Sequence, residues 1–245
     1  MESRFLDLLG QSIANDHSRQ VTPHYFTERL FREKVEISRV LDLGCGSGTS
    51  LEYFLTKRTG LKWVGLDISE SPEAASHIGG RGEYRTYDGT HIPYADGYFD
   101  LIYCRQVLEH VRHPTTLLRD ACRVLKPGGY FVGSTSHLEP YHALSVWNYT
   151  PYGFCLLIAD AGMRVIELRP GIDALTLIVR RGFRGSRLFA SWWDRESPLN
   201  LAIGFAGKAM RKQTSWINAA KLVFCGQFSF LVRKDESPAA KSRRA

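Results

Sequence analysis

Val40-Leu41-Asp42-Leu43-Gly44-Cys45-Gly46-Ser47-Gly48-Thr49-Ser50 decides how the rest of the chain is read. Its apolar start reads as a buried parallel strand, three alternating glycines break the run, and a helical pattern begins at Leu51. The order is strand, tight turn, helix. Gly44 and Gly46 adopt backbone angles closed to other residues and, lacking side chains, let a ligand lie against the main chain. A nucleotide-like ligand is implied.

The same stretch discriminates between nucleotides. A dinucleotide-binding turn reads G-x-G-x-x-G, whereas here the third glycine comes one residue early and Thr49 fills the expected place. Asp42, two residues before the first glycine, would repel a pyrophosphate but suits a ligand with a cationic amino group or sulfonium. S-adenosylmethionine has both. On the motif from Asp42 through Gly44, Cys45 and Gly46 to Gly48, the chain resembles the class I S-adenosylmethionine-dependent methyltransferases of the small-molecule and glycan type. The resemblance implies S-adenosylmethionine as cofactor and S-adenosylhomocysteine as product.

Further carboxylates follow in order. Leu61 to Asp67 reads as the second strand, and Asp67, 23 residues after Gly44, stands where one carboxylate grips both hydroxyls of a ribose, with Ile68 beside it. Glu83 to Tyr87 is the third strand, and by resemblance Asp88 at its end accepts from the adenine amine while Gly89 allows close approach; an ordinary Asp-Gly turn is the other reading. His91 to Cys104 resembles the family segment "LPFPDGSFDLV", which puts Arg105 and Gln106 at the crevice beyond the fourth strand. His110 follows in Val107-Leu108-Glu109-His110-Val111, and with no second ligand spaced to join it, it reads as a structural or pocket-lining histidine. Arg123-Val124-Leu125-Lys126-Pro127-Gly128-Gly129 matches the family's "RVLKPGG" and ends a helix, after which Tyr130 to Ser134 is the fifth strand. Met163 to Leu168 and Phe228 to Arg233 supply the last two.

The expected fold is therefore α/β: a Rossmann-like, doubly wound seven-stranded sheet with its last strand antiparallel, helices on both faces and a helical insertion before the last strand. Residues 1–37 form an N-terminal helical cap, 38–170 the cofactor-binding core, 171–222 the insertion, 223–236 the last strand and 237–245 a disordered basic tail. The segment around Arg19, His24 and Tyr25 is a lid over cofactor and substrate or an exposed linker held by Pro23. The first helix is expected to stop at Gly60 and a short one to run from Ser71 to Gly79-Gly80.

Methyl transfer is an in-line displacement, in which positioning does most of the work and an oxygen or nitrogen nucleophile can need a base. Past the fifth strand lie Ser136-His137-Leu138-Glu139-Pro140-Tyr141-His142. His137 is the first candidate base and His142 the second, with Glu139 orienting either one. Trp147, Asn148 and Tyr149 could form an aromatic wall. No metal ligand set is expected.

Charge separates the two ends of the chain. Residues 1–179 hold 18 Lys plus Arg against 21 Asp plus Glu, and residues 180–245 hold 14 against 4, so the whole net charge of +7 is C-terminal. Within 180–221, Phe183, Phe189, Trp192, Trp193, Phe205 and Trp216 interleave with Arg180, Arg181, Arg184, Arg187, Lys208, Arg211 and Lys212. That pattern suits an anionic substrate or peripheral contact with a membrane, or is the insertion's own core. Five scattered cysteines without C-x-x-C spacing suggest neither zinc nor disulfides, and no signal-like or spanning apolar run is present, so a cytoplasmic location is expected, with the inner membrane surface as a peripheral site. The expected activity is O-methylation of a small molecule, or of a sugar in a glycan or lipid-linked intermediate. The basic third leaves a nucleic-acid methyltransferase open, although N-P-P-[YF] and Pro-Cys signatures are absent. A cofactor-binding module without turnover is the third reading.

Overall fold

The computed structural model describes residues 8–71, 82–183 and 191–236. The helix expected after Ser71, the insertion residues Arg184, Arg187 and Phe189, and the tail from Ser237 lie outside them.

One sheet organises the chain. Its strands are β1 (Arg39–Leu43), β2 (Lys62–Ile68), β3 (Glu83–Tyr87), β4 (Phe99–Arg105), β5 (Leu125–Ser136), β6 (Met163–Pro170) and β7 (Gln227–Lys234), in the order β3-β2-β1-β4-β5-β7-β6. β7 runs antiparallel between β5 and β6, and β1 to β5 pair in parallel. The order reverses between β1 and β4, where β1 has β2 on one side and β4 on the other. That switch point opens a crevice at the carboxyl ends of both strands.

Alternation along the strands feeds two cores, one per face. Leu41, Leu43, Ile102 and Cys104 point into one, with Leu117, Leu118 and Ala121 of α3 (Pro114–Val124) and Phe154 and Ile158 of α4 (Pro151–Asp160). Val40, Leu101 and Tyr103 point into the other, against Phe26 and Leu30 of α1 (Pro23–Arg32) and Leu51 and Phe54 of α2 (Ser50–Leu55). Covered faces explain why β1 reads as a continuous apolar run instead of an alternating one. Caps sit where the local chemistry asks for them: Thr150 Oγ1 accepts from Gly153 N at 3.0 Å, and Pro151 takes the first position of α4.

Two boundaries depart from expectation. α2 stops at Leu55, ahead of Gly60, and β5 begins at Leu125 because Leu125 already pairs with Phe99 before the register shifts. The Pro-Gly-Gly string therefore lies inside the strand, with Gly128 at φ +76° carrying the irregularity.

The segment between β6 and β7 is helical in α5 (Ala174–Gly182), α6 (Pro198–Ala209) and α7 (Thr214–Phe224). It does not stand apart from the N-terminus. Residues 14–21 run as an extended strap between β6 and these helices: Asn218 Nδ2 donates to Ala14 O and His17 O, Lys221 Nζ donates to Ser18 O, and Gln20 Oε1 accepts from Ser197 and Asn200. Beneath the strap, the fully buried Arg169 of β6 donates to Glu167, His17 O and Asp16, while Arg29 of α1 pairs with Glu167 at 2.6 Å. Burial would raise the Asp16 carboxyl, but hydrogen bonds from Arg169 and the His17 amide outweigh it and hold it down at about 2. Asp16 thus keeps its charge, and its hold on Arg169, until pH falls below the ordinary carboxylate range toward 2. Arg169→Ala leaves Glu167 with Arg29 but removes the donor to Asp16 and His17 O, and should lower unfolding stability by about 1–3 kcal/mol. A urea midpoint equal to that of the parent protein would show the network to be incidental.

Candidate functional site

The glycine turn sits at the head of the crevice. Gly44, Gly46 and Gly48 all have left-handed φ, +73°, +50° and +80°. Gly44 N and Cys45 N both donate to Leu66 O at 2.7 and 3.2 Å, so β2 holds the turn from below. Space also demands glycine at two of the three. A Cβ at Gly44 would stand 2.3 Å from Val107, and one at Gly48 2.3 Å from the Tyr84 hydroxyl.

Two carboxylates, Asp42 and Asp67, adjoin this turn, and Asp88 lies beyond the end of β3. Asp42 is buried and accepts from Ser50 Oγ, which in turn accepts from Trp63 Nε1 at 3.0 Å. Burial, reinforced by the nearby Asp67 charge, pushes the Asp42 carboxyl up to about 7 against the opposing Ser50 hydrogen bond. Asp67 accepts from Gly46 N at 2.7 Å on one oxygen and from Ile68 N at 2.8 Å on the other. Asp88 is exposed, and its Oδ1 accepts from Thr90 N, Thr90 Oγ1 and His91 N at 2.7–2.9 Å, which holds the carboxyl below its ordinary value. Gly89 follows at φ +85°, with Ile68 exposed beside it: a Cβ there would lie 3.6 Å from Ile68 Cγ2. Burial raises the Cys45 thiol, so it remains a neutral packing group.

The far wall is the end of β4. Arg105 is its last residue and exposed, and Gln106 turns away at φ +55°, a left-handed angle rare outside glycine. Gln106 is anchored to β5 through Gln106 N to Ser134 O and Nε2 to Ser134 Oγ, both 3.0 Å. Its Oε1 is buried with no protein donor. A buried acceptor without a protein donor at this end of β4 suits a ligand that brings its own donors, as S-adenosylmethionine does. His24 of α1 reaches this wall, its ring 5.8 Å from that of Tyr103 and 4.5 Å from that of Tyr53. Tyr25 instead packs on His17 and Arg169, and Arg19 lines an open cleft of about 430 Å³ with Asp194 and Glu196.

A second cluster forms past β5. Glu109 is fully buried, with Thr135 Oγ1 donating to it at 3.0 Å. Ser136 Oγ lies 2.6 Å from Glu139 Oε2 and 3.3 Å from Glu109 Oε1. Burial raises the Glu109 carboxyl to about 7 against the opposing hydrogen bonds from Thr135 and Ser136. Glu139 also accepts from Gln227 Nε2 at 2.7 Å and stands 3.7 Å from His142 Nδ1. The His110 ring meets His142 edge-on at 5.3 Å.

The expectation that His110 lacks companions is thereby corrected. Ligand-type atoms of Glu109, His110 and His142 all lie within 4.8 Å of one another. Glu109 was also passed over as a site residue, although an acid inside an apolar string just past β4 was a visible signal. The fold brings His142 and Glu139 together but separates His137, whose ring bonds to backbone groups of Tyr149 and Val223 and whose pKa is lowered by burial. Trp147 Nε1 donates to Val111 O, Asn148 Nδ2 to Glu139 O and Tyr149 Oη to Leu108 O, so this trio fastens the loop.

A family model described as "Methyltransferase domain" matches residues 41–133, from β1 into β5. Over those residues the chain is similar to the class I S-adenosylmethionine-dependent methyltransferases. That likeness implies S-adenosylmethionine as the cofactor. Similar curated proteins include the ubiquinone biosynthesis O-methyltransferase of Sodalis glossinidius, 32% identical over 56% of this chain and 56% of that protein. The one of Pseudomonas aeruginosa is 32% identical over 66% of this chain and 65% of that protein. The chain thus spans less than two thirds of these relatives' length. Among solved structures, the [4+2]-cyclase SpnF aligns over 96% of this chain and 93% of its own at TM-score 0.55 and 19% identity. A protein assigned as a sarcosine dimethylglycine methyltransferase from Galdieria sulphuraria aligns over 87% and 85% at TM-score 0.57 and 15% identity. Both share the fold.

If the cationic end of S-adenosylmethionine lies beside Asp42, binding carries a pH signature. A cation beside that carboxyl favours the ionised form, so binding releases a proton wherever Asp42 is protonated in the free protein. Affinity should rise by up to about tenfold per pH unit below 7 and level off above it. Calorimetry at pH 6 and pH 8 measures this, and Asp42→Asn should bind more weakly with a flat profile. A parent protein with equal affinity at both values would remove Asp42 from the cofactor's charged end.

Proposed function

We propose that this chain transfers a methyl group from S-adenosylmethionine to a hydroxyl oxygen of a small molecule, with His142 as general base. The observation that carries the proposal is the His142–Glu139 pair on the loop after β5, placed on the crevice side of the same sheet as Asp42 and Asp67. The relatives named as ubiquinone biosynthesis O-methyltransferases support an oxygen acceptor.

Asp42 faces the cationic end of the cofactor, Asp67 the ribose hydroxyls, and Ile68, Asp88 and Gly89 the base. Arg105 and the Gln106 backbone form the wall opposite the turn. When bound, S-adenosylmethionine supplies an electrophilic methyl on a sulfonium. The protein's part is to hold the acceptor oxygen in line and take its proton. Pro140 O at 3.4 Å and Glu139 at 3.7 Å both sit on the Nδ1 side of His142, which leaves Nε2 as the nitrogen that receives the proton. Glu139 is itself fixed by Ser136 and Gln227, so the base inherits its orientation from β5 and β7. His137, with its ring engaged by the backbone, holds the loop in place.

Hydroxyl-bearing intermediates of ubiquinone biosynthesis are the first acceptors to screen, and sugar hydroxyls of lipid-linked intermediates, which would use the same base, are the second. The readout is a mass gain of one methyl group. On an accepted substrate, His142→Ala should lower kcat by about 10²-fold or more with cofactor affinity unchanged. Glu139→Gln should lower kcat less, and His137→Ala should lower stability more than rate. Full turnover by His142→Ala would sink the assignment of the base, and tight cofactor binding with no methylated product across both classes would favour a non-catalytic module.

A further inference from the structure

The solvent faces of α5 and α6 are apolar, the reverse of what a surface helix ordinarily presents. On α5, Ala174, Thr176 and Leu177 are buried, while Leu175, Ile178, Val179 and the following Phe183 are exposed at helical spacing. On α6, Asn200 and Gly207 face inward, Gly207 so close to α7 that a Cβ would stand 2.6 Å from Ile217. Outward on α6 stand Leu201, Phe205 and Met210, with Phe205 78% exposed. These are not scattered side chains. Asp173 caps α5 through Thr176 N at 2.7 Å and also accepts from Leu199 N, in the first turn of α6, at 3.1 Å. Both helices lead away from that one carboxylate, and their exposed stripes start side by side.

Charge around the stripes has a single sign. Arg180 and Arg181 end α5, and Lys208, Arg211 and Lys212 end α6. Residues 174–183 and 198–224 contain no Asp or Glu. Lys221 of α7 takes no part, because it is buried and paired with Glu196 at 2.6 Å. Neither α5 nor α6 is long enough to cross a bilayer, which takes about 20 apolar residues, and no helix among the described residues is long and apolar enough to do so. An apolar stripe fringed by cations instead suits a helix lying in the plane of an anionic lipid surface.

We propose that the outward faces of α5 and α6 dock on an anionic phospholipid bilayer, with Phe205 and Leu201 entering the interface and Lys208, Arg211 and Lys212 meeting the headgroups. The proposal does not rest on methyl transfer, since lipid binding needs no turnover. α7 leads from this surface to Cys225 and Gly226, which accept from Leu138 N and His137 N at 3.2 and 2.7 Å, so the docked face is one helix away from the loop carrying His142.

Co-sedimentation of the full chain with vesicles tests this. Phosphatidylcholine vesicles holding about one third phosphatidylglycerol should pellet the protein, pure phosphatidylcholine far less, and high salt should release it. The L201E/F205E double variant should lose at least about tenfold in vesicle affinity, and R211A/K212A about fivefold for each charge removed. Unchanged S-adenosylmethionine affinity in both variants shows that the fold is intact. No pelleting with either vesicle would overturn the proposal. So would equal binding to both compositions with R211A/K212A unaffected. A dimer in sedimentation velocity that F205E converts to monomer, without vesicle binding, would overturn it in favour of a second copy of the chain.

Discussion

The Asp67 carboxylate is the constraint on which the cofactor site depends. It ends β2, one oxygen accepts the Gly46 amide and the other accepts the amide of Ile68. The glycine turn is therefore tied to the neighbouring strand both by this side chain and by Leu66 O, which receives Gly44 N and Cys45 N. Left-handed angles at three glycines carry a large conformational entropy, and these bonds remove it before any ligand arrives. The same carboxylate keeps lone pairs for hydroxyl donors. On the proposed reading, structural and binding roles coincide in this one residue, and charge-assisted hydrogen bonds are directional and strong enough to serve both.

The second half of the site depends on β7. Its antiparallel course between β5 and β6 brings Gln227 to Glu139 and places Gly226 under His137, so the loop after β5 is supported by residues some 90 positions downstream. The strap at residues 14–21 adds a further tie. Arg169, buried among Asp16, His17 and Glu167, fastens it to β6, and Asn218 and Lys221 fasten it to α7. The cap and the insertion are one unit around the crevice because polar groups of each satisfy the other, as buried donors and acceptors must.

Legibility in the sequence followed range. The glycine turn and the succession of strands along the chain could be read because each is a local pattern whose meaning comes from its own neighbours. The start of β5 could not, since it is set by pairing of Leu125 with Phe99 across the sheet and not by the Pro-Gly-Gly that follows. His110 looked solitary for the same reason: His142 lies on another loop, and only the fold brings the two rings to 5.3 Å. Glu109 stands out in the sequence as an acid in an apolar string, and that setting is what raises its pKa and makes it chemically distinctive. His137 and His142, equivalent as letters in one loop, are told apart by their surroundings: backbone groups engage the first ring, while the second has Pro140 O and the Glu139 carboxylate on its Nδ1 side.

The early third glycine and the buried carboxylate before the turn separate a sulfonium cofactor from a dinucleotide, and everything else at the site follows from that choice. Isothermal titration of the purified chain with S-adenosylmethionine and, separately, with NAD measures it directly. One equivalent of S-adenosylmethionine bound and no heat from NAD is the expected result; NAD binding in its place, or no binding of S-adenosylmethionine at saturating concentration, would contradict it.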